Sequence, residues 1–318
     1  MGARPAHRRA HPATHRGGRG RPVRRLLRRE TPRHGAGRLV PAPRRRRRAG
    51  RRSVTIEHVG AGWRLLGGEA LALLQELPAA SVDAVVTDPP YSSGGMMRGD
   101  RTQDTKIKYV KSSSVSGQAL PDFGGDTRDQ RAYAYWCALW LSEALRVTKP
   151  GGICVLFTDW RQLPTTTDAL QAGGFVWRGI VPWNKPDGRR TYGRPANTCE
   201  YAVWGTAGGR GNDDEYETLP GFIQCNTTRR RVHIAQKPVE VMRVLVRVAP
   251  AGGVVLDPFA GAATTGVAAL AEGRQFLGFE RDPEHLTNGA ARLRQAAAEA
   301  LPAADQGDLF AEMPGSAA

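Results

Sequence analysis

The stretch GGVVLDPFAGAATTGVAALAEGRQFLGFE, residues 252–280, decides the fold. Residues 252–261 are an apolar run that ends in an acid, a proline and a glycine, which is typical of a buried strand followed by a tight turn. Residues 264–273 have the small, apolar composition of a helix, and residues 275–280 form a second apolar run. Strand, helix and strand in this order predict a β-α-β unit with its two strands parallel in one sheet.

The same alternation continues on both sides of this unit. Apolar runs predict further strands, and helical spacing of apolar residues predicts further helices. Strands are expected at residues 63–68, 82–87, 151–160, 177–185 and 200–205, and helices at 69–77, 133–147, 236–248 and 284–300. This pattern predicts an α/β fold with a mostly parallel sheet covered by helices on both faces. Trp136 and Trp140 are interpreted as core residues of one helix.

The turn of the β-α-β unit carries groups that suit a nucleoside or a carboxylate. Gly261 permits close approach of the backbone, and the following helix has free N–H groups at its N-terminus. Thr264 and Thr265 add hydroxyl donors. Glu280 ends the next strand, 23 residues after Asp257, where α/β folds hold ribose hydroxyls. A plain tight turn is the alternative interpretation, and the lack of Gly-Lys-Ser/Thr excludes an ATPase P-loop.

A second polar cluster follows the predicted strand 82–87. Asp88 stands at its carboxyl end, where open α/β sheets bind ligands. Pro89 and Pro90 lack N–H donors but keep carbonyl acceptors, and Tyr91 adds an aromatic face. Acceptors beside a stacking surface fit an exocyclic amino group on a flat ring. A strand followed by a proline-stiffened turn is the alternative interpretation.

Positive charge is concentrated at one end of the chain. The formal net charge is +16, but residues 1–52 hold 19 arginines and one acid, Glu30, so the remaining 27 basic and 29 acidic residues leave −2. We expect residues 1–53 to be a disordered extension, because Arg, Pro and Gly dominate without hydrophobic periodicity. Three interpretations of this extension are open: a phosphate-binding arm, a transit peptide, or an untranslated stretch before a true start at Val54.

Cysteine spacing and hydropathy argue against several classes of protein. The four cysteines form no C-x-x-C pair, so neither a zinc site nor a disulfide framework is expected; they are Cys137, Cys154, Cys199 and Cys225. No apolar run reaches the ~20 residues of a membrane span, and no signal-peptide core is present. We therefore expect a cytoplasmic protein without a metal or a membrane partner.

The motifs resemble those of the DNA amino-methyltransferases that use S-adenosylmethionine. In their β arrangement an Asp-Pro-Pro-Tyr motif precedes a Phe-x-Gly cofactor motif, as it does here. The resemblance covers residues 60–295, and its overall pattern is similar to that of solitary phage and prophage methylases. Three segments of the chain match family segments: HIAQKP (233–238), LDPFAGAATTG (256–266) and GFERDPEHLTNGAARL (278–293).

Four positions depart from the family pattern, two of them in the cofactor loop. The family loop usually reads Gly-Ser-Gly-Thr-Thr, whereas residues 261–265 read Gly-Ala-Ala-Thr-Thr. Glu69 stands where the family often has aspartate, and His285 replaces a usual tyrosine. We expect the altered loop to weaken cofactor binding, although its backbone donors remain.

The resemblance implies a Rossmann-like methyltransferase domain over residues 54–295, with a target-recognition insert at 186–232. It implies S-adenosyl-L-methionine as the cofactor. The catalytic residues that it implies are Asp88, Pro89, Pro90 and Tyr91. The cofactor-binding residues that it implies are Glu69, Lys237, Asp257, Phe259, Gly261, Thr264, Thr265 and Glu280.

The implied reaction is direct methylation of an exocyclic amine on a base flipped out of double-stranded DNA. Aspartate at the first motif position resembles adenine-N6 enzymes, and serine is more typical of cytosine-N4 enzymes, so adenine N6 is the expected target. The alternatives are a cytosine-N4 enzyme, an RNA adenine methyltransferase and a catalytically silent nucleic-acid-binding module. Cytosine C5 chemistry is not expected, because the chain has no Pro-Cys pair.

Arginines are concentrated in the predicted insert. We expect them to contact DNA phosphates, together with the polar loop 92–131. The arginines are Arg189, Arg190, Arg194, Arg229, Arg230 and Arg231. A solvated basic loop is the alternative interpretation.

Residues 296–318 are expected to be a flexible tail, small and polar in composition. The tail contains Gln306-Gly-Asp-Leu-Phe310, which resembles the bacterial sliding-clamp binding motif apart from Gly307. A Leu-Phe pair that folds back on the body is the alternative. A second copy of the chain is a further candidate partner.

Overall fold

A computed structural model describes residues 56–91, 128–188, 192–193, 195–211, 217–227 and 237–300. Nine strands and six helices form within these residues. The strands are β1 (Glu57–Gly60), β2 (Trp63–Gly67), β3 (Val82–Thr87), β4 (Thr148–Thr158), β5 (Val176–Asn184), β6 (Cys199–Thr206), β7 (Ile223–Gln224), β8 (Val254–Asp257) and β9 (Gln275–Glu280). The helices are α1 (Ala70–Glu76), α2 (Gln130–Val147), α3 (Leu163–Ala172), α4 (Val239–Val246), α5 (Thr264–Ala271) and α6 (Pro283–Ala300).

The described strands form one sheet in the order β1-β2-β9-β8-β3-β4-β6-β5-β7. Strands β2, β9, β8, β3 and β4 run parallel to one another, which confirms the mostly parallel α/β fold. Strand β6 is antiparallel to β4 and to β5. Its amino end therefore lies at the edge where the five parallel strands end, which we call the carboxyl edge.

Helices cover both faces of the sheet, as expected. Side chains alternate between the faces along each strand, so Ala84 and Val86 of β3 join one core while Val85 joins the other. Helices α4, α5 and α6 pack on the first face, and α1, α2 and α3 pack on the second. Trp140 is buried in the second core, and Trp136 packs against it. The resulting two-sided core fixes the strand ends at the carboxyl edge.

Three observed elements were not predicted, namely β1, α3 and β7. Strands β1 and β7 have four and two residues, too few for periodicity to show. Helix α3 reads LPTTTDALQA, and its proline and threonines are weak helix formers. Its buried face includes Thr166 and Thr167, so it also lacks a clear apolar stripe. Among the described helices, none has the length and apolar character needed to cross a bilayer.

Candidate functional site

Asp88 directly follows β3 and meets a buried ammonium group at the carboxyl edge. The Nζ atom of Lys237, just before α4, lies 2.5 Å from Asp88 Oδ2. The Lys237 side chain is only 7% exposed. A charge withdrawn from water in this way is stable only when charged or hydrogen-bonding partners compensate it. We therefore expect further charged or hydrogen-bonding partners of the Lys237 ammonium group, beyond Asp88.

Glu200, at the amino end of β6, is the second carboxylate beside Lys237. Its Oε2 atom lies 3.3 Å from Lys237 Nζ and 3.5 Å from the Tyr91 hydroxyl, which donates to it. Its Oε1 atom accepts from Lys185 Nζ at 2.8 Å. The two carboxylates and two ammonium groups balance in charge. Asp88, Glu200, Lys237 and Lys185 are called the Asp88 cluster below.

Two members of the Asp88 cluster, Lys237 and Glu200, hold their charges across the neutral pH range. Burial alone would lower the pKa of Lys237, but the charges of Asp88 and Glu200 outweigh burial and raise that pKa above its ordinary value. Burial alone would raise the pKa of Glu200, but Lys237 and Lys185 lower it to about 2. Lys237 and Glu200 are therefore fixed charges rather than titrating groups near neutrality.

The Tyr91 ring of the Asp-Pro-Pro-Tyr motif faces the same ammonium group. Pro89 is buried, and Pro90 and Tyr91 are half-buried. The Nζ atom of Lys237 is 5.6 Å from the centre of the Tyr91 ring and 5.1 Å from that of Phe157. A carboxylate, an aromatic ring and donor-free prolines are thus brought together. The catalytic roles of these residues stay predictions.

Asp257, at the end of the neighbouring strand β8, has a different set of partners. Its carboxylate accepts from Thr87 Oγ1 at 2.6 Å, from Thr265 Oγ1 at 2.5 Å and from the Phe259 backbone N–H at 3.0 Å. Asp257 is 2% exposed, and burial raises its pKa to about 6, against the effect of its donors. The charge of Asp88 acts in the same direction as burial. Asp257, Thr87, Thr265 and Phe259 are called the Asp257 cluster below.

The loop between β8 and α5 is held by Glu280 of β9. Glu280 Oε2 accepts from the Gly261 N–H at 2.8 Å, and Oε1 accepts from the Asp282 N–H at 2.7 Å. Gly261 has φ +50°, and a Cβ added there would meet no atom within 4 Å. Among the described residues, the space beside the Gly261 Cα is therefore open.

The altered positions of the loop have a structural consequence. Ala263 has φ 54° and ψ 37°, the left-handed conformation, which costs a non-glycine residue about 1 kcal/mol. The family glycine at this position would avoid that cost. Arg292 of α6 donates to the carbonyl of Ala262 and to Thr264 Oγ1, so it holds the loop in shape. The sequence alone does not indicate this role of Arg292, because nothing in its local pattern points to the contact.

Two other predicted cofactor residues are Glu69, on an element beside this loop, and Phe259, in the loop itself. Glu69 is the N-cap of α1, where Oε2 accepts from the Ala72 N–H at 3.0 Å. Gly67 pairs with Glu280, so Glu69 and Glu280 follow or end neighbouring strands. Phe259 packs its ring on Trp136 and Trp140, with centroids 5.2 and 5.1 Å apart. Binding of the cofactor by these residues stays a prediction.

The remaining predicted sites lie outside the described residues. They are Arg189, Arg190, Arg194, Arg229, Arg230 and Arg231, the clamp-like segment 306–310, and the extension 1–53. Within the described part of the insert, Asp187 accepts from the Thr227 N–H at 3.1 Å and from its hydroxyl at 2.8 Å. This contact joins the chain after β5 to the chain after β7.

The chain is similar to DNA methylases over most of its described length. The N6/N4 DNA methylase family model matches residues 82–224 and 202–291. Type II methyltransferase M.HinfI of Haemophilus influenzae is 25% identical over 254 residues, which are 73% of this chain and 68% of M.HinfI. YubD of Escherichia coli is 27% identical over 232 residues, which are 72% of this chain and 89% of YubD.

A solved structure is similar in fold. TTHA0409 of Thermus thermophilus, in complex with S-adenosyl-L-methionine, has a TM-score of 0.50 and 25% sequence identity. The similarity covers 73% of this chain and 94% of that chain.

Proposed function

The chain belongs to the N6/N4 family of DNA methylases, and we propose that it transfers a methyl group from S-adenosyl-L-methionine to N6 of adenine in double-stranded DNA. The observation that carries this proposal is the carboxylate of Asp88, charge-paired with Lys237 beside the Tyr91 ring. It is an acceptor site for an amine, located at the edge where open α/β sheets bind ligands.

Asp88 and the Pro89 carbonyl are the proposed acceptors of the two N–H bonds of the target amine. The nitrogen lone pair of an aromatic amine is delocalised into the ring and is a poor nucleophile. Hydrogen bonds to both N–H groups favour a tetrahedral nitrogen and free the lone pair for direct attack on the methyl carbon. The bond from that carbon to sulfur would break as the new bond forms, and the methylated base, an acidic cation, would then lose one proton. Positioning and electrostatics supply the catalysis, and no covalent enzyme intermediate is needed.

Tyr91 is the proposed stacking partner of the target base. An amino group inside a duplex cannot reach Asp88, so the base must leave the helix. Stacking of a base on an aromatic side chain contributes about 1–3 kcal/mol. The Tyr91 hydroxyl is 3.5 Å from Glu200, a contact that holds the ring in its orientation.

The loop between β8 and α5 fits S-adenosyl-L-methionine, which when bound supplies an electrophilic methyl group. Helix α5 has no side-chain cap, so its first-turn N–H groups are available to a carboxylate. Open space lies in front of Gly261, and Glu280 keeps further lone pairs for ribose hydroxyls. The other proposed cofactor residues are Glu69, Lys237, Asp257, Phe259, Thr264 and Thr265. TTHA0409, a structure of similar fold, contains this cofactor.

Mass analysis of nucleosides tests the proposed reaction and the proposed base. Double-stranded DNA is incubated with the protein and S-adenosyl-L-methionine and then digested to nucleosides. N6-methyladenine is the expected product. N4-methylcytosine alone would reverse the proposed base, and absence of both products over a range of DNA sequences would overturn the function.

The proposed DNA contacts are Arg189, Arg190, Arg194 and the run Arg229–Arg231. Phosphate contacts make affinity fall steeply with salt. Replacing Arg229–Arg231 by glutamate should therefore weaken DNA binding and flatten its salt dependence. Unchanged affinity for DNA in such a variant would remove these residues from the interface.

The bacterial sliding clamp is the proposed protein partner of Gln306–Phe310, with an affinity in the micromolar range, about 8 kcal/mol. A peptide of residues 301–315 is titrated with the clamp, beside a control peptide with Leu309→Ala and Phe310→Ala. Equal binding of the two peptides would end this proposal. A second copy of the chain stays a prediction, which sedimentation of the purified protein tests.

A further inference from the structure

Glu200 uses both carboxylate oxygens to hold two ammonium groups. Oε1 lies 2.8 Å from Lys185 Nζ, and Oε2 lies 3.3 Å from Lys237 Nζ. The side chains of Glu200 and Lys185 are 19% and 18% exposed, so these contacts are largely shielded from solvent. Solvent-shielded ion pairs are screened much less than surface pairs. Glu200 therefore acts strongly on the position and charge of Lys237.

The contacts form a continuous chain along the carboxyl edge. Lys185, which follows β5, contacts Glu200 of β6; Glu200 contacts Lys237; and Lys237 contacts Asp88 after β3. Pairing of Trp183 with Glu200 fixes the register between β5 and β6. The position of Lys237 against Asp88 thus depends on a residue two strands away from Asp88 in the sheet.

Removal of Glu200 would change Asp88 through Lys237. An ammonium group has three donors and can serve two carboxylates at once. With Glu200 absent, the positive charge of Lys237 would fall on Asp88 alone. A carboxylate that is more strongly neutralised by a cation is a weaker acceptor for a neutral N–H group, so the target amine would be held less well.

Glu200 does not act as a proton acceptor itself. With a pKa of about 2, it stays ionised and takes up no proton near neutrality. Its described contacts are to Lys185, Lys237 and Tyr91, and its effect on Asp88 passes through Lys237. Positioning is the role that these contacts allow.

We infer that Glu200 is a positioning residue of the methyl transfer: it fixes Lys237 and shares its charge, so that Asp88 stays an effective acceptor for the target amine. This inference rests on the proposed function. Glu200→Gln keeps the shape of the side chain and removes its charge, whereas Glu200→Asp keeps the charge and shortens the reach.

The test measures kcat, KM and the pH dependence of kcat for methylation of DNA. Glu200→Gln should lower kcat on the order of tenfold to a hundredfold, as misplacement of a reacting group does. Lys237 loses one of its two carboxylates in this variant, so its pKa should fall and the alkaline fall of kcat should move to lower pH.

Glu200→Asp should lower kcat while its alkaline fall stays at the wild-type pH. Glu143→Gln is the matched control, because Glu143 pairs with Arg146 at 2.7 Å and is 26% exposed, but lies on α2 away from the site. Wild-type kcat and pH dependence are expected for it.

Each outcome decides the inference. A wild-type rate in Glu200→Gln, or a slow variant whose alkaline fall does not move, would overturn it. If Glu200→Gln fails to fold by circular dichroism, a wild-type rate in Glu200→Asp would overturn it, and a lower rate with an unmoved alkaline fall would support it. Failure of the wild-type protein itself to methylate DNA would instead contradict the proposed function.

Discussion

The Asp88 cluster and the Asp257 cluster lie at the ends of neighbouring parallel strands, yet each holds its carboxylate in a different way. Asp88 is paired with the buried ammonium group of Lys237, and Glu200 and Lys185 complete a balanced set of charges. Asp257 instead accepts from two hydroxyls and one backbone N–H, all of them neutral. The first arrangement places the Asp88 carboxylate in an ion pair, and the second links separate backbone segments by hydrogen bonds.

The difference shows what each carboxylate can do. Neutral donors compensate a buried charge only in part, so the pKa of Asp257 rises to about 6. Its partners Thr87 and Thr265 belong to β3 and to α5, so Asp257 links the strand before Asp88 to the loop proposed to bind the cofactor. The Asp88 cluster carries the proposed chemistry, and the Asp257 cluster joins the strand before Asp88 to the loop proposed to bind the cofactor.

Replacement of Lys237 should have the largest effect on stability. Lys237→Met leaves the carboxylates of Asp88 and Glu200 partly buried without the cation between them. Breaking a buried pair costs about 3–5 kcal/mol. Lys149→Met is the matched control, since Lys149 lies 2.9 Å from Asp83 but is 48% exposed. It should cost no more than about 1 kcal/mol.

Urea denaturation of the two lysine variants measures this contrast. We expect the free energy of unfolding to fall several-fold more in Lys237→Met than in Lys149→Met. Equal losses would mean that the Asp88 cluster is no more than a set of surface ion pairs.

Asp257→Asn should change the pH dependence of stability. The pKa of Asp257 is about 6 in the folded protein and about 3.9 when unfolded, so the native state binds the proton more tightly. The stabilisation is fully present below about pH 4 and is lost as the pH rises through about 6. The free energy of unfolding of the wild type, minus that of Asp257→Asn, should therefore fall by about 2–3 kcal/mol between pH 4 and pH 7.

Thermal or denaturant unfolding of both proteins over this pH range provides the measurement. The asparagine variant removes the titration while keeping one carbonyl and one amide group for the same partners. A difference that stays constant from pH 4 to pH 7 would show that Asp257 does not titrate as described.

Glu280→Gln should have the smallest of these effects. Both oxygens of Glu280 accept from backbone N–H groups, those of Gly261 and Asp282, and an amide nitrogen cannot replace one of them. We expect affinity for S-adenosyl-L-methionine to fall about tenfold, or about 1.4 kcal/mol. Titration calorimetry measures it, with the exposed Glu284→Gln as control. An unchanged affinity would separate Glu280 from the cofactor site.

Sequence periodicity predicted most of the fold, because both faces of the sheet are buried. Strands β3 and β9 begin and end at the predicted residues, 82–87 and 275–280. Helix α3 was missed because threonines form part of its buried face. Its formation depends on tertiary packing, which local sequence does not encode.

Part of the candidate site was predicted because strand direction could be inferred. Asp88, Asp257 and Glu280 follow or end parallel strands, so their common edge follows from the alternation of elements. Glu200 stands at the start of a strand, and only the antiparallel direction of β6 brings it to the same edge. The sequence identified Lys237 through a family motif, but its contact with Asp88 joins residues 149 positions apart.

Methyl transfer by Asp88→Ala is the most direct test of the central claim, that Asp88 accepts the target amine. The purified variant and the wild type are compared with methyl-labelled S-adenosyl-L-methionine and double-stranded DNA, after circular dichroism has shown both to be folded. We expect label to enter DNA with the wild type and not with Asp88→Ala, while the variant keeps much of the wild-type affinity for the cofactor. Substantial label in DNA from the folded variant would contradict the claim.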